Sequence, residues 1–180
     1  MEFVEFPKMA RLSRECIITE KIDGTNAQIF IGENGEFLTG SRTRWITPEN
    51  DNFGFSAWAH ENKDELLKLG VGRHFGEWWG SGIQRGYNLP KGEKRFSLFN
   101  AQRWKDNPDL PKCCYVVPVL YQGVFDTNEV FECLKNLEIN GSVASKDFMN
   151  PEGIVVYHIA GNIGFKKTIK NDDKPKTAPI

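Results

Sequence analysis

No apolar run in the 180-residue chain approaches the roughly 20 residues that cross a bilayer, and the acidic start MEFVEF lacks the pattern of a signal peptide. The sequence therefore reads as soluble, intracellular and cytoplasmic, with no membrane partner. Cysteine is scarce: Cys16, Cys113, Cys114 and Cys133 include no CxxC pair, which disfavours both a disulfide framework and a zinc site and suits inert thiols in a reducing compartment. His60, His74 and His158 stand alone without metal-ligand spacing, so no role is assigned to them. Excess charge is also missing, because 23 basic and 24 acidic residues leave a formal charge of −1. Any contact with nucleic acid must then come from a local basic patch.

What is present fits one globular domain, with 39% hydrophobic residues, enough for a core without disulfides or metal. Residues 16–18, 26–31 and 36–39 read as strands, with Asn34-Gly35 as the hairpin turn between the second and third. A helix is expected from about Ala57 to Leu69, closed by Gly70, and another from Asp126 or Thr127 as cap to Asn140-Gly141, with Val130, Leu134 and Leu137 inward. HFGEWWG and RFSLFNA read as buried strands. CYVVPVLYQGVF reads as one more strand, with Pro118 marking an edge or a bulge. EGIVVYHI and IGFKKTIK form a last strand pair around residues 160–162, before a loose charged tail. The whole is an α+β domain of mainly antiparallel strands with about two helices.

The stretch TEKIDGTNAQIFI, residues 19–31, admits two readings. Asp23-Gly24 between two β-rich runs is a hairpin signal. The same letters also set Lys21, Asp23, Gly24 and Asn26 together at a strand end. Five further elements follow in order: Ser41-Arg42, GEWWG around Glu77, FSLF ending at Phe99, EGIVV beginning at Glu152, and FKK at residues 165–167. Singly, each has a plain structural reading, such as a solvated arginine, a salt-bridged carboxylate or a core phenylalanine. In this order, over residues 16–170, they resemble the covalent nucleotidyltransferase superfamily of ATP-dependent DNA and RNA ligases and mRNA capping enzymes. EKIDGTN is most similar to RNA ligases of the nick-sealing, RNA ligase 2-like class, in which glutamate precedes the lysine and Thr-Asn follows the glycine. DNA ligases and capping enzymes usually carry arginine where Asn26 stands.

The resemblance implies an ATP-grasp-like nucleotidyltransferase (adenylation) domain over residues 1–170, a charged tail over 171–180, and no C-terminal OB-fold or other accessory domain in this chain. A partner subunit or a missing domain would then complete substrate binding; the protein itself is expected to be a monomer. The implied activity is ATP-dependent polynucleotide ligation, RNA favoured, joining 5′-phosphate to 3′-hydroxyl ends through a lysyl-AMP intermediate. Lys21 would be the nucleophile, with Asp23, Lys166 and Lys167 assisting. Glu20, Gly24, Asn26, Arg42, Glu77 and Phe99 would bind the nucleotide, and Glu152 would hold Mg²⁺, with Mn²⁺ as a substitute. Arg44 competes with Arg42, and Phe96 with Phe99; Asn100 stands where the family has aspartate.

The chemistry sets its own demands. Only a neutral amine attacks phosphorus, and a lysine is ordinarily protonated at neutral pH, so cations near Lys21 are needed. Lys166, Lys167 and a bound metal ion are the candidates, and the same charges would steady the phosphate oxygens in the transition state. Only one of Lys166 and Lys167 can face the nucleotide from a strand, and Lys166 is the first choice. Lys91, Lys94 and Arg95 are candidate substrate contacts. Two other readings stay open: a GTP-using capping-type nucleotidyltransferase, and a non-catalytic nucleotide- or RNA-binding module of the same fold.

Overall fold

The computed structural model describes residues 1–173. Of the expected loose tail, residues 174–180 lie outside the described residues. Within 171–173, Asp172 is tied back: it accepts from the Thr168 amide at 2.8 Å and from Lys167 at 3.1 Å.

Two sheets share the chain. β1 (Glu15–Lys21), β8 (Val119–Val124), β9 (Gly153–His158) and β10 (Ile163–Thr168) form a four-stranded antiparallel sheet in the order β10-β9-β1-β8. β2 (Thr25–Ile31), β3 (Phe37–Ser41), β4 (Trp45–Ile46), β5 (Gly72–Gly80), β6 (Lys94–Leu98) and β7 (Cys114–Val116) form a six-stranded sheet in the order β4-β3-β2-β5-β6-β7. Of these pairs only β6 and β7 run parallel. The α+β reading with mainly antiparallel strands is the observed architecture.

Strand alternation gives each sheet one covered face. In the larger sheet Ala27, Ile29, Phe37, Ile46, Trp78, Phe96 and Leu98 pack under α1 (Phe55–Glu61) and α2 (Lys63–Leu66), the second followed by a 3₁₀ turn at Leu67–Leu69. The expected single helix over 57–69 therefore starts earlier and breaks at Asn62, whose backbone leaves helical geometry (φ −104°, ψ 16°) while its side chain bonds the Trp58 carbonyl at 2.8 Å. A one-turn helix, α3 (Ala101–Trp104), follows Phe99, with Asn100 as its side-chain cap at 3.1 Å from the Arg103 amide. In the smaller sheet Cys16, Ile18, Ile154 and Val156 pack against Cys133 and Leu137 of α4 (Thr127–Asn140). α4 is capped by Asp126, as the sequence suggests, and ends at Gly141 with φ 82°.

One of the two readings of Asp23-Gly24 and one strand expectation fail at the crossings between sheets. Asp23-Gly24 is not a hairpin turn, because β1 and β2 belong to different sheets. The run at 114–125 is not one strand: Val117-Pro118 carries the chain from β7 to β8. Proline has no amide to donate and interrupts the ladder, so the unbroken apolar run conceals a change of sheet. The two crossings meet in a third apolar cluster, where Ile22 and Val117 pack with Trp79, Tyr87, Ala101 and Phe148 and bind the sheets together at one end.

A buried carboxylate secures the loop after α4. Glu20 is 1% exposed and accepts from the Ser142 hydroxyl at 2.6 Å and from the amides of Val143 and Ala144 at 2.8 and 2.9 Å. Burial pushes its pKa up, and these three bonds oppose the rise. Glu20→Ala strands two amides and a hydroxyl that the carboxylate satisfies, so a loss of about 2–4 kcal/mol is expected in urea unfolding at neutral pH.

Candidate active site

β1 ends at Lys21, whose side chain meets the carboxylate of Glu152 immediately before β9. The register Lys21↔Gly153 makes this contact, because it aligns the last residue of β1 with the first of β9. Glu152 is 2% exposed. The chain then turns through Asp23 into Gly24, where the backbone runs against β5. A Cβ on Gly24 would lie 2.5 Å from the Trp78 carbonyl oxygen and 2.7 Å from the Trp79 Cβ, so only glycine permits this approach.

Glu77 closes the cluster from β5. Its two oxygens accept from the Gly24 amide at 3.0 Å and from Asn26 Nδ2 at 3.1 Å, the second across the pair Asn26↔Glu77. Burial raises its pKa to about 7, with the charge of Lys21 acting in the opposite direction and those of Glu152 and Asp23 adding to the rise. Lys21, Asp23, Gly24, Asn26, Glu77 and Glu152 are thus brought into one electrostatic neighbourhood.

Three residues that the sequence reading did not single out support it. Arg85 donates to Asp23 Oδ2 at 2.9 Å and to the carbonyls of Asn150 and Pro151 at 2.8 and 2.9 Å, linking the loop after β1 to the approach to Glu152. Tyr87, fully buried with a left-handed backbone (φ 51°), accepts from the Asp23 amide through its hydroxyl at 2.8 Å. Burial holds its phenol protonated well beyond the ordinary range. Ser145 donates to the Tyr87 carbonyl at 2.6 Å. The spacing of Arg85 and Tyr87 carries no motif; the only signal was their position in the polar loop between two site-bearing strands.

The other expected site residues divide. Lys166 pairs with Val155, which pairs with Thr19, so Lys166 shares the sheet face of Thr19 and Lys21. Lys167 pairs with Ile154 on the opposite face, where its Nζ lies 5.6 Å from the Phe131 ring of α4 and 3.1 Å from Asp172. Lys167 therefore lies on the face away from Lys21, which corrects its place among the assisting residues. Glu20 also departs from the cluster: its side chain points to the α4 side and is occupied by the 142–144 loop. Phe99 is 42% exposed just past β6, whereas Phe96 is fully buried against Phe55 and Trp58 and has no face free for a base. Arg42 is exposed one residue past β3, while Arg44 is turned back to the Asn50 carbonyl. Lys94 is spent on the Phe53 carbonyl and Arg95 on Glu93.

Among the described residues no group of three or more His, Cys, Asp or Glu side chains could cage a metal ion. The donor set suits instead a hard cation held by one carboxylate, Glu152, with waters and phosphate oxygens. A separate apolar cavity of about 530 Å³ lies behind the smaller sheet, lined by Leu12, Phe125, Phe131 and Phe165 among others, away from Lys21.

The family model described as RNA ligase matches residues 14–171. The chain belongs to the RNA ligase family. No curated protein matches it. Solved structures share the fold: two variants of the Naegleria gruberi RNA ligase with ATP and Mn have TM-scores of 0.66 and 0.67 at 20% and 19% identity, over 88% of this chain. An apo variant of the same protein gives 0.65 at 19% identity. This chain spans about half the length of those proteins, 51% and 50% of them. Among its described residues no helix is long and apolar enough to cross a membrane.

Two measurements test the cluster. Folding raises the Glu77 pKa from 4.5 to about 7, so the folded chain holds this proton more tightly than the unfolded one. The resulting stabilisation is full below about pH 4.5, declines as pH rises, and is gone above about 7. The stability difference between wild type and Glu77→Gln should therefore shift by up to about 3 kcal/mol against wild type between pH 4.5 and 8 in denaturant titrations. Arg85→Ala frees two carbonyls and leaves the half-buried Asp23 without its guanidinium, and should cost about 1–3 kcal/mol in the same assay. Arg85→Lys should recover only part, since one ammonium cannot span the three acceptors.

Proposed function

We propose that this chain is the nucleotidyltransferase part of an ATP-dependent RNA ligase, working through AMP carried on Lys21. The observation that carries the reading is the contact of Lys21 with buried Glu152 inside the neighbourhood of Glu77 and Asp23, with Lys166 on the same face of the sheet.

The Lys21 amine attacks the α-phosphorus of ATP, forming a P–N bond as the P–O bond to pyrophosphate breaks. AMP then passes to a 5′-phosphate, which releases Lys21, and a 3′-hydroxyl attacks the activated phosphate and releases AMP. The side chains divide the work. Glu77, steadied by Gly24 and Asn26, has lone pairs left to accept from the ribose hydroxyls. Phe99 offers an exposed ring to the adenine, a contact worth about 1–3 kcal/mol. Lys166 places positive charge on the phosphate side of the cleft, and Arg42 adds a fork of donors for phosphate. Arg85 and Tyr87 hold Asp23 and, with it, the bend that presents Lys21. A divalent cation on Glu152, Mg²⁺ or the Mn²⁺ found with the Naegleria gruberi protein, would supply charge against the phosphate oxygens and take over the carboxylate now paired with Lys21. The nucleic-acid substrate is RNA with 5′-phosphate and 3′-hydroxyl ends, engaged with help from a further domain or a partner subunit.

The test is incubation with α-phosphate-labelled ATP or GTP and a divalent cation. ATP should label the protein through an acid-labile, base-stable bond that Lys21→Ala abolishes. Lys166→Ala should slow labelling about 10²-fold, whereas Lys167→Ala, directed at α4, should change it by less than about threefold. Label from GTP alone would assign a capping-type reaction; no label from either would leave a binding module.

A further inference from the structure

The inner face of the six-stranded sheet continues beyond the nucleotide cluster, and its side chains can be placed by register. Asn26, Gln28 and Phe30 alternate along β2; opposite them on β5 stand Glu77, Phe75 and Arg73. On the other side of β2, Gln28 faces Gly40 and Phe30 faces Leu38, and Gly40 in turn faces Trp45 of β4. The Phe99 amide bonds the Phe75 carbonyl at 2.9 Å, which extends the Phe75 row to Phe99.

The far end of this face is apolar, cationic and open. Trp45 is 45% exposed, Phe75 50% and Leu38 43%. The Arg73 guanidinium lies 5.2 Å from the ring centres of both Phe30 and Trp45 and donates to the Gln28 amide oxygen at 3.2 Å, so three partners hold it in place. Within the six strands the charged side chains are Arg73, Glu77, Lys94 and Arg95, and the single acid is already bonded to Gly24 and Asn26. Phe30 lies four residues from Asn26, or about 13 Å along the strand at ~3.3 Å per residue.

We propose that Phe30, Leu38, Trp45, Arg73 and Phe75 form a stacking platform for unpaired bases of the RNA strand whose end is being joined. The inference rests on the ligase reading for its choice of RNA. Flat rings with an arginine on a sheet face suit splayed, single-stranded bases, because every base offers a π-face to an aromatic or guanidinium plane. The absence of a free acid on these strands favours the phosphates that accompany the bases. Continuity with Phe99 sets the platform beside the adenine position, so a bound strand would lead toward Lys21.

The experiment uses the full chain as wild type, Trp45→Ala, Arg73→Gln and Arg73→Lys, with thermal midpoints to show that each remains folded. Anisotropy of a fluorescent 12-nucleotide single-stranded RNA, alongside a blunt RNA duplex of equal length, reads binding; labelling by ATP reads self-adenylylation. Trp45→Ala should weaken single-strand binding by about 5- to 150-fold, the equivalent of one lost base stack. Arg73→Lys, which keeps the charge and loses the plane, should weaken it nearly as much as Arg73→Gln. Labelling should stay within twofold of wild type. Single-strand binding unchanged in Trp45→Ala would overturn the platform, as would a preference for duplex, or a dimer of the wild type that Trp45→Ala dissociates. Failure of the wild type to label with ATP would instead count against the ligase reading, since platform binding is scored without ATP.

Discussion

Gly24 passes so close beneath β5 that a Cβ there would lie 2.5 Å from the Trp78 carbonyl oxygen. β1 and β2 are neighbours in sequence but belong to different sheets, so the chain must leave one and join the other within three residues. It does so against the Trp78 carbonyl, at a separation that leaves no room for a Cβ. The Gly24 amide reaches Glu77 there, and the Asp23 amide reaches Tyr87. Lys21 is fixed at the lip of one sheet while Asn26 and Glu77 are fixed in the other. Under the proposed function, this crossing would set the nucleotide between Lys21 on one sheet and Glu77 on the other.

Each strand near the site divides its side chains between two tasks. On β1 the even positions Cys16, Ile18 and Glu20 serve α4 and its following loop, and Lys21 faces the other way. On β10 the same division separates Lys167, held by Phe131 and Asp172, from Lys166. On β5 Trp78 enters the helix-covered core while Glu77 faces Asn26. Period-two alternation allows adjacent letters in one motif to have unrelated functions. It also explains why a dipeptide such as Glu20-Lys21 reads as one chemical unit in the sequence and as two in the fold.

The sequence made the family and the fold class legible, because the motif order is a linear property and the strand signals were strong. Lys21, Asp23, Asn26, Glu77 and Glu152 could be singled out from letters alone. Residues whose placement depends on loops could not. Arg85 acts through the carbonyls of Asn150 and Pro151, some 65 residues away, and Tyr87 through a left-handed backbone that no local pattern announces. Glu20 was misread because the amides that claim it lie beyond α4. The change of sheet at Pro118 was hidden because the apolar run on either side is unbroken, and the length of a run does not tell how many sheets it visits.

Under the proposed function, the bridging core would leave substrate only the opposite end to enter by. Ile22, Trp79, Tyr87, Val117 and Phe148 close the gap between the sheets at the crossing end. At the opposite end Trp45, Phe75 and Leu38 remain exposed on the inner face of the larger sheet. Fully burying one such side chain typically contributes about 1.5–3 kcal/mol, so leaving three about half exposed in one region forgoes a few kcal/mol of stability. A fold that seals one end with aromatics and leaves others bare at the far end is polarised, with rigidity beside Lys21 and contact surface away from it. That polarity suits the proposed reaction, in which the nucleophile must be held still while strands of differing sequence come and go.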